Sequence, residues 1–545
     1  MPYYSSLKIS LFIFLILISF IVCTFSESGV PEDPPSPPTD INQWCDTVPH
    51  PEPCKFFMAQ KMLKPPKEKS EFRKMIVEVA LDRASHAQSH IWGWGIRCDD
   101  HKKRAAWADC VRLYDHTIIQ LNYTLNGLTT NSSFTNFDAQ TWLSAALTNL
   151  ETCLGGSEDM NVTTFIWPHV SYNVSDLISN GLAVNEGLIQ SDNSTTNVNN
   201  NTTNNNETYP SWLSVNERRL LLGLRSLAAK KATFVVSKGR NARYKTIQSA
   251  IDAAARSNVR GRKVIHVRRG VYRENIYVGP YNNDITLIGD GMRNTIVTSS
   301  RSVRSGYTTY NSATAGVDGL RFIARDITFR NTAGPENGQA VALRSGSDLS
   351  VFYKCAFLGY QDTLFVHSQR QFYKMCYIYG TIDIIFGNAA AVFQNCMIVV
   401  RKPIWGQANV ITAQGRADPN QNTGIVIHSS RIMADNALLK MGRSVTTYLG
   451  RPWQQYSRTI IMKTYIGPLV DSAGWMPWNG NQFLNTLYYA EYANFGPGSK
   501  VRRRVKWGGF HVIKNPGVAS LFTVGQFIAG KTWLPTTGIP FSAGL

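Results

Sequence analysis

VFYKCAFLGYQDTLFVHSQRQFYKMCYIYGTIDIIFGNAAAVFQNC, residues 351–396, states one pattern three times. Phe352-Tyr-Lys-Cys355, Phe372-Tyr-Lys-Met-Cys376 and Phe393-Gln-Asn-Cys396 are loose copies, with cysteines 21 and then 20 residues apart. The same grain extends outward, through VIHVRRGVY, ITLIGDG and LRFIARDITFRNTA before it and TGIVIHSSRIM after it. These are short strand-like runs broken by Gly, Asn and Asp, with no amphipathic helices between them to build βαβ units. A period near 20 residues made only of short strands predicts a β-solenoid, each coil stacked on the last.

Two aspartates interrupt the apolar runs. Aspartate is depleted in strands and is almost never buried without a partner. Asp362 lies seven residues after Cys355, and Asp383 seven after Cys376. In a solenoid whose coils are spaced by ~4.8 Å, the two carboxylates stack on one face. Gln339 and Gln361, 22 residues apart, are expected beside them. Carboxylates this close do not share equal acidity, so one stays a proton donor while its neighbour is a nucleophile. Glutamine amides are fit donors for a developing oxyanion.

The rest of the 545-residue chain has a different character. SDNSTTNVNNNTTNNNETYP, residues 191–210, has almost nothing to bury and reads as a linker. Upstream, Phe72, Met75, Ile76 and Val79, then Trp107, Val111, Tyr114 and Ile118, then Trp142, Ala145, Ala146 and Leu150 recur at helical spacing. An all-α antiparallel bundle over 40–190 is expected, ahead of the solenoid at 222–545. Cys45 with Cys54 and Cys110 with Cys153 are candidate clips for it. Residues 1–221 carry 16 Lys+Arg against 23 Asp+Glu, net −7; residues 222–545 carry 40 against 14, net +26. So basic a half calls for an acidic partner: a polysaccharide, an anionic membrane, or the acidic half of the same chain. Nucleic acid is the least suited, because the chain reads as secreted.

Secretion rests on three signals. Lys8 precedes an apolar run from Ile9 to Cys23 that is short for a membrane span, so 1–26 reads as a signal peptide. Eight cysteines remain after it, fitting a disulfide-permitting compartment. Glycosylation sequons fall at Asn122, Asn131, Asn161, Asn173, Asn193, Asn200, Asn201 and Asn206 and nowhere later.

Gln339-Ala-Val-Ala-Leu-Arg344, Tyr360-Gln-Asp-Thr-Leu364, Gly380-Thr-Ile-Asp-Ile-Ile-Phe-Gly387, Leu449-Gly-Arg-Pro-Trp453 and Gly270-Val-Tyr-Arg-Glu274 closely resemble the signature segments of plant-type pectin methylesterases. The resemblance runs from about Phe234 to Leu545. The amino-terminal part, with Cys45, Cys54, Cys110 and Cys153, looks like the pectin methylesterase inhibitor domain that precedes many such enzymes, Cys98 being extra. The resemblance implies an all-β right-handed parallel β-helix behind a four-helix bundle. It implies hydrolysis of galacturonate methyl esters in homogalacturonan, without metal or cofactor, by a secreted monomer of the cell wall. Asp383 would be the nucleophile, Asp362 the acid and base, Gln339 and Gln361 the oxyanion hole, and Arg451 the residue orienting Asp383. Thr309 and Trp453 would join Gln339 and Arg451 in binding sugar. The implied partners are the polymer, the chain's own pro-domain and separate inhibitor proteins, with no membrane once the signal is gone. Arg218-Arg219-Leu220-Leu221 resembles the family's processing site, at the end of a linker spanning 191–221.

Some positions depart from the family pattern. Ile384 stands where Phe is usual beside the nucleophile, and Phe365 where Tyr is common, which bears on subsites rather than chemistry. The basic half holds three cysteines: the family-like pairing is Cys376 with Cys396, and the alternative is a ladder of three buried thiols. Two rival functions stay open at this level. One is a depolymerising hydrolase or lyase, since β-helices host those too and a retaining glycosidase also wants carboxylates ~5 Å apart. The other is a non-catalytic wall-binding or inhibitory protein.

Overall fold

Helix-period sequence gives way to strand-period sequence, and the structure divides accordingly. The computed structural model describes residues 40–61, 64–129, 134–170, 173–196, 233–442 and 444–545. The expected signal peptide, most of the linker and residues 218–221 lie outside them, as do Asn131, Asn200, Asn201 and Asn206. Asn122, Asn161 and Asn173 are exposed. No helix among the described residues is long and apolar enough to cross a membrane.

Four long helices, Lys69–Gly93, His101–Thr129, Asn136–Asp159 and Val174–Thr196, make the amino-terminal bundle together with shorter ones. Their apolar stripes face inward, with Phe72, Ile76, Val79, Tyr114, Ala146 and Leu150 buried. Thr135 and Asp138 form a capping box that starts the Asn136–Asp159 helix. One disulfide, Cys45–Cys54, closes the entry segment, and Cys110–Cys153 ties two of the long helices. Cys98 is a free, buried thiol.

From Phe234 onward the strands form three parallel sheets of eleven, eight and seven strands, each sheet collecting every third strand of the winding chain. This is a parallel β-helix. In these three coils the bend from the first (eleven-stranded) sheet to the second (eight-stranded) one uses a residue in left-handed backbone: Lys354 at φ 50°, Met375 at 54° and Asn395 at 55°. The next residue then points inward, and in these three coils it is Cys355, Cys376 and Cys396. Inside, Phe352, Tyr373 and Phe393 pair in register, their rings stacked at 4.8 and 4.4 Å. The partner of Phe352 is thus Tyr373, not Phe372 of the apparent repeat. Phe372 is one place along and points outward.

The Cys376–Cys396 bridge is not formed; both residues, with Cys355, are free buried thiols. Cys376 Sγ donates to the Phe352 carbonyl at 3.2 Å and Cys396 Sγ to that of Tyr373 at 3.5 Å. Each thiol is satisfied by the backbone of the preceding coil. Burial pushes both thiols well above their ordinary pKa, so the reactive thiolate is disfavoured.

The three outer faces differ in cover. The carboxy-terminal segment seats Phe522, Val524, Phe527 and Trp533 on Val351, Phe372, Val392 and Val426 of the first sheet. The helical bundle lies against the third sheet, where Phe365, Phe386 and Ala413 join its core. Among the described residues nothing covers the second sheet, where Tyr377 is 41% and Met433 37% exposed.

Candidate active site

Strand register places the two aspartates. Leu364 pairs with Ile385 in the third sheet, and the Asp362 N–H donates to the Ile382 carbonyl at 2.9 Å. Asp362 therefore sits one coil from Asp383, both just ahead of a strand and both in left-handed backbone, at φ 60° and 48°. That conformation is uncommon for a non-glycine residue, and aspartate tolerates it better than most. Gln361 precedes Asp362, and its carbonyl accepts from Ala340 N at 3.2 Å. Because Leu343 pairs with Leu364 at a spacing of 21, Gln339 is one place out of strict register with Gln361. Both glutamines nonetheless line the same cleft.

Both carboxylates are buried, Asp362 7% and Asp383 5% exposed. Asp383 is gripped from the side by Arg451, Nε to Oδ1 at 2.9 Å and Nη2 to Oδ2 at 2.5 Å. A bidentate guanidinium fixes the position of both oxygens. Asp362 has no such partner. Burial first, then the charges of Asp383 and Asp159, push its carboxyl well above the usual carboxylate range, against a weaker pull from Arg451. The pair is thus unequal in its surroundings: one carboxyl group is clasped by arginine, and the other is buried beside acidic neighbours that disfavour its charged form.

The cleft, of about 260 Å³, collects Thr309, Gln339, Gln361, Asp362, Asp383, Arg451 and Trp453. It also holds Tyr310, Phe386 and Trp478, which sequence reading did not single out as site residues. The Arg451 guanidinium carbon lies 4.2 Å from the Trp478 ring centroid, and Phe365 stacks on Phe386 at 4.3 Å. Ile384, the departure beside the nucleophile position, is fully buried and packs in the core of the coil rather than in the cleft.

A second set of wall residues comes from the bundle. Thr152, Gly155, Gly156, Glu158 and Asp159, at the end of the Asn136–Asp159 helix, close the cleft from above. Asp159 Oδ2 accepts the Thr309 N–H at 2.8 Å. Around this plug, Asp109 accepts from Thr308 and Asn311, Thr152 Oγ1 meets His367 Nε2 at 2.9 Å, and Asn388 donates to Thr148 at 2.8 Å. Arg370 bridges Asp138 at 2.7 Å while also gripping Asp348. The acidic half does meet the basic half, through neutral hydrogen bonds, hydrogen bonds to buried aspartates and the Arg370–Asp138 ion pair. No periodicity in the helical sequence marks this face; its polar residues look like any solvated stripe until the two bodies meet.

The family model described as Pectinesterase matches residues 233–531, and that described as Plant invertase/pectin methylesterase inhibitor matches 39–184. The chain is 55% identical over 518 residues to the "Probable pectinesterase/pectinesterase inhibitor 33" of Arabidopsis thaliana, covering 93% of this chain and 86% of that one. It is 48% identical to "Pectinesterase 2" of Citrus sinensis, covering 99% and 100%. Among solved structures, the pectin methylesterase from carrot is 53% identical with a TM-score of 0.57, covering 58% of this chain and 98% of its own.

Proposed function

The chain belongs to the pectinesterase family, with an inhibitor-type helical domain ahead of the enzyme, and we propose that it removes methyl esters from galacturonate units of homogalacturonan by an aspartate-nucleophile mechanism. The observation that carries this is the pair itself, arginine-held Asp383 one coil from buried Asp362, whose carboxyl is pushed well above the usual carboxylate range, with two glutamines lining the same cleft. A carboxylate oxygen of Asp383 attacks the ester carbon, and the carbonyl electrons move to oxygen, where Gln339 and Gln361 donate. The tetrahedral species collapses as Asp362 gives its proton to the departing methoxide, releasing methanol and leaving a galacturonyl anhydride on Asp383. Asp362, now ionised, takes a proton from water, and the hydroxide displaces Asp383 to give the free carboxylate. Thr309, Trp453 and Trp478 supply polar and flat surfaces for the sugar.

The helical domain acts as an inhibitor in cis, because the end of the Asn136–Asp159 helix fills the space an ester would need. Activity then requires separation, and a cut at residues 218–221, beyond the end of the Val174–Thr196 helix, would allow it. The signal peptide 1–26, the occupied sequons and export to the cell wall belong to the same reading. The products formed from highly methylated homogalacturonan test it: methanol and undegraded pectate are expected. Shortened chains or unsaturated ends with little methanol would turn the assignment to a glycosidase or lyase.

A further inference from the structure

Of the three outer faces of the β-helix, one lacks a cover among the described residues. Its side chains form two rows along the axis, one per alternate position. Register aligns Ile296, Thr328, Ala356, Tyr377, Met397 and Arg431 in the first row, and Thr298, Arg330, Leu358, Tyr379, Val399 and Met433 in the second. Neighbours within a row are one coil apart, ~4.8 Å, comparable to the length of one sugar unit. A groove of about 840 Å³ runs along this face, lined by Arg293, Arg330, Arg401, Tyr360, Tyr377 and Tyr379 among others. Arg401 is fixed at its edge, donating to the Gly359 carbonyl at 2.8 Å and to Tyr360 Oη at 2.9 Å with its guanidinium 3.8 Å from that ring's centroid. The carboxylate in the lining, Asp435, is engaged in capping the Asn436–Leu439 helix through Leu438 N. The groove therefore presents three arginines and flat phenol rings against a single carboxylate.

We propose that this groove is a second binding site for de-esterified homogalacturonan, separate from the catalytic cleft. The inference rests on the esterase reading for its choice of ligand. Each ester hydrolysed exposes one more carboxylate, so the product gains the charge that arginines bind, while its pyranose rings offer faces for tyrosine. Tyr360 lines the groove and the next residue, Gln361, lines the cleft, so a single turn of chain separates the two sites. A domain of net +26 supplies the long-range attraction. The occupant held there would keep the enzyme on the polymer while further esters reach the cleft.

Because the helical domain fills the cleft but not this groove, the full-length uncut chain is the right test object. Calorimetric titration with fully de-esterified decagalacturonate at low ionic strength should show binding, and the fully methylated decamer should bind more weakly. Arg293→Gln with Arg330→Gln and Tyr377→Ser should weaken binding by about tenfold or more. Arg502→Gln with Arg503→Gln, which removes two exposed cations elsewhere, should leave it unchanged. Unchanged thermal midpoints would establish that the exposed-site variants fold. No binding by the parent chain, equal binding by the groove variant, or equal losses in both variants would overturn the proposal. Methanol release by the processed protein is scored separately: its absence with groove binding intact sinks the esterase reading and leaves the groove standing.

Discussion

At the scale of single residues, the site depends on a contrast between two aspartates of the same chemistry. Arg451 clasps both oxygens of Asp383, while Asp362 is buried beside Asp383 and Asp159. Asp383→Asn and Asp362→Asn keep shape and remove the titrating group, so each should lower methanol release by at least ~10²-fold in the processed protein. The double variant should be scarcely worse than either single, because the two act as one unit. Gln361→Ala should cost less, Gln339 still donating. Full methanol release by folded Asp383→Asn would refute the mechanism. Residue-level reading of the cysteines went astray for a definable reason. A spacing of 20 or 21 residues tells which thiols neighbour each other, not whether each already has a backbone carbonyl to donate to. Unfolding without reductant should therefore expose Cys98, Cys355, Cys376 and Cys396 to maleimide, while Cys45, Cys54, Cys110 and Cys153 label only after reduction; mass spectrometry of the labelled peptides reads this directly.

At the scale of elements, the stack of coils is held by in-register columns. Tyr373 is fully buried between Phe352 and Phe393, and its hydroxyl donates to Gln371 Oε1 at 2.7 Å. Tyr373→Ala removes a ring from the middle of that column and leaves Gln371 short of a donor, so a loss of ~3–5 kcal/mol in unfolding free energy is expected, read from denaturant unfolding. Phe372→Ala, on the outer face under the carboxy-terminal segment, should instead loosen that segment first, seen as earlier proteolysis of the chain after residue 515. The strands and their period were legible before the structure, since alternation and turn residues are local properties. The face assignment of Phe372 and Tyr373 was not, because a shift of one residue exchanges inside and outside and only pairing with the neighbouring coils resolves it.

At the scale of the whole molecule, the two bodies share a buried polar interface whose carboxyls are costly to ionise. Burial, offset in part by Thr308, Arg112 and Arg344, raises Asp109 to about 6. Burial and then Asp418 raise Glu151, half-buried over Phe365 and Trp453, to about 8. Burial also raises Asp159, against its bond from Thr309. Groups with pKa raised in the docked state favour docking at pH below their free values and lose it as pH climbs through the docked ones. His116 and His367 act oppositely: burial lowers both, His367 to about 3, with Arg344 adding to the effect and Asp318 opposing it, so they weaken docking as pH falls below the ordinary histidine range. Asp109's contribution is lost by about pH 6, so between about pH 6.5 and 8 Glu151 carries the effect, and there the linker-cut complex should come apart as pH rises, by up to ~tenfold per pH unit for that coupled proton. Gel filtration of the nicked protein across that range, with methanol release followed in parallel, checks it; separation that is insensitive to pH would contradict the assignment.

Sequence by itself determined the β-helix, the helical bundle ahead of it, and the stacking of Asp362 on Asp383, because all three follow from periods measured along one chain. It also carried the charge contrast between the halves. Tertiary structure alone decided that the end of the Asn136–Asp159 helix closes the cleft, that Asp362 feels Asp159 as well as Asp383, and that the second sheet is the face left open among the described residues. Those facts depend on contacts between residues 150 or more positions apart, such as Asp159 with Thr309. Local periodicity records which way a side chain faces within its own element, and holds no information about which distant surface that face will meet.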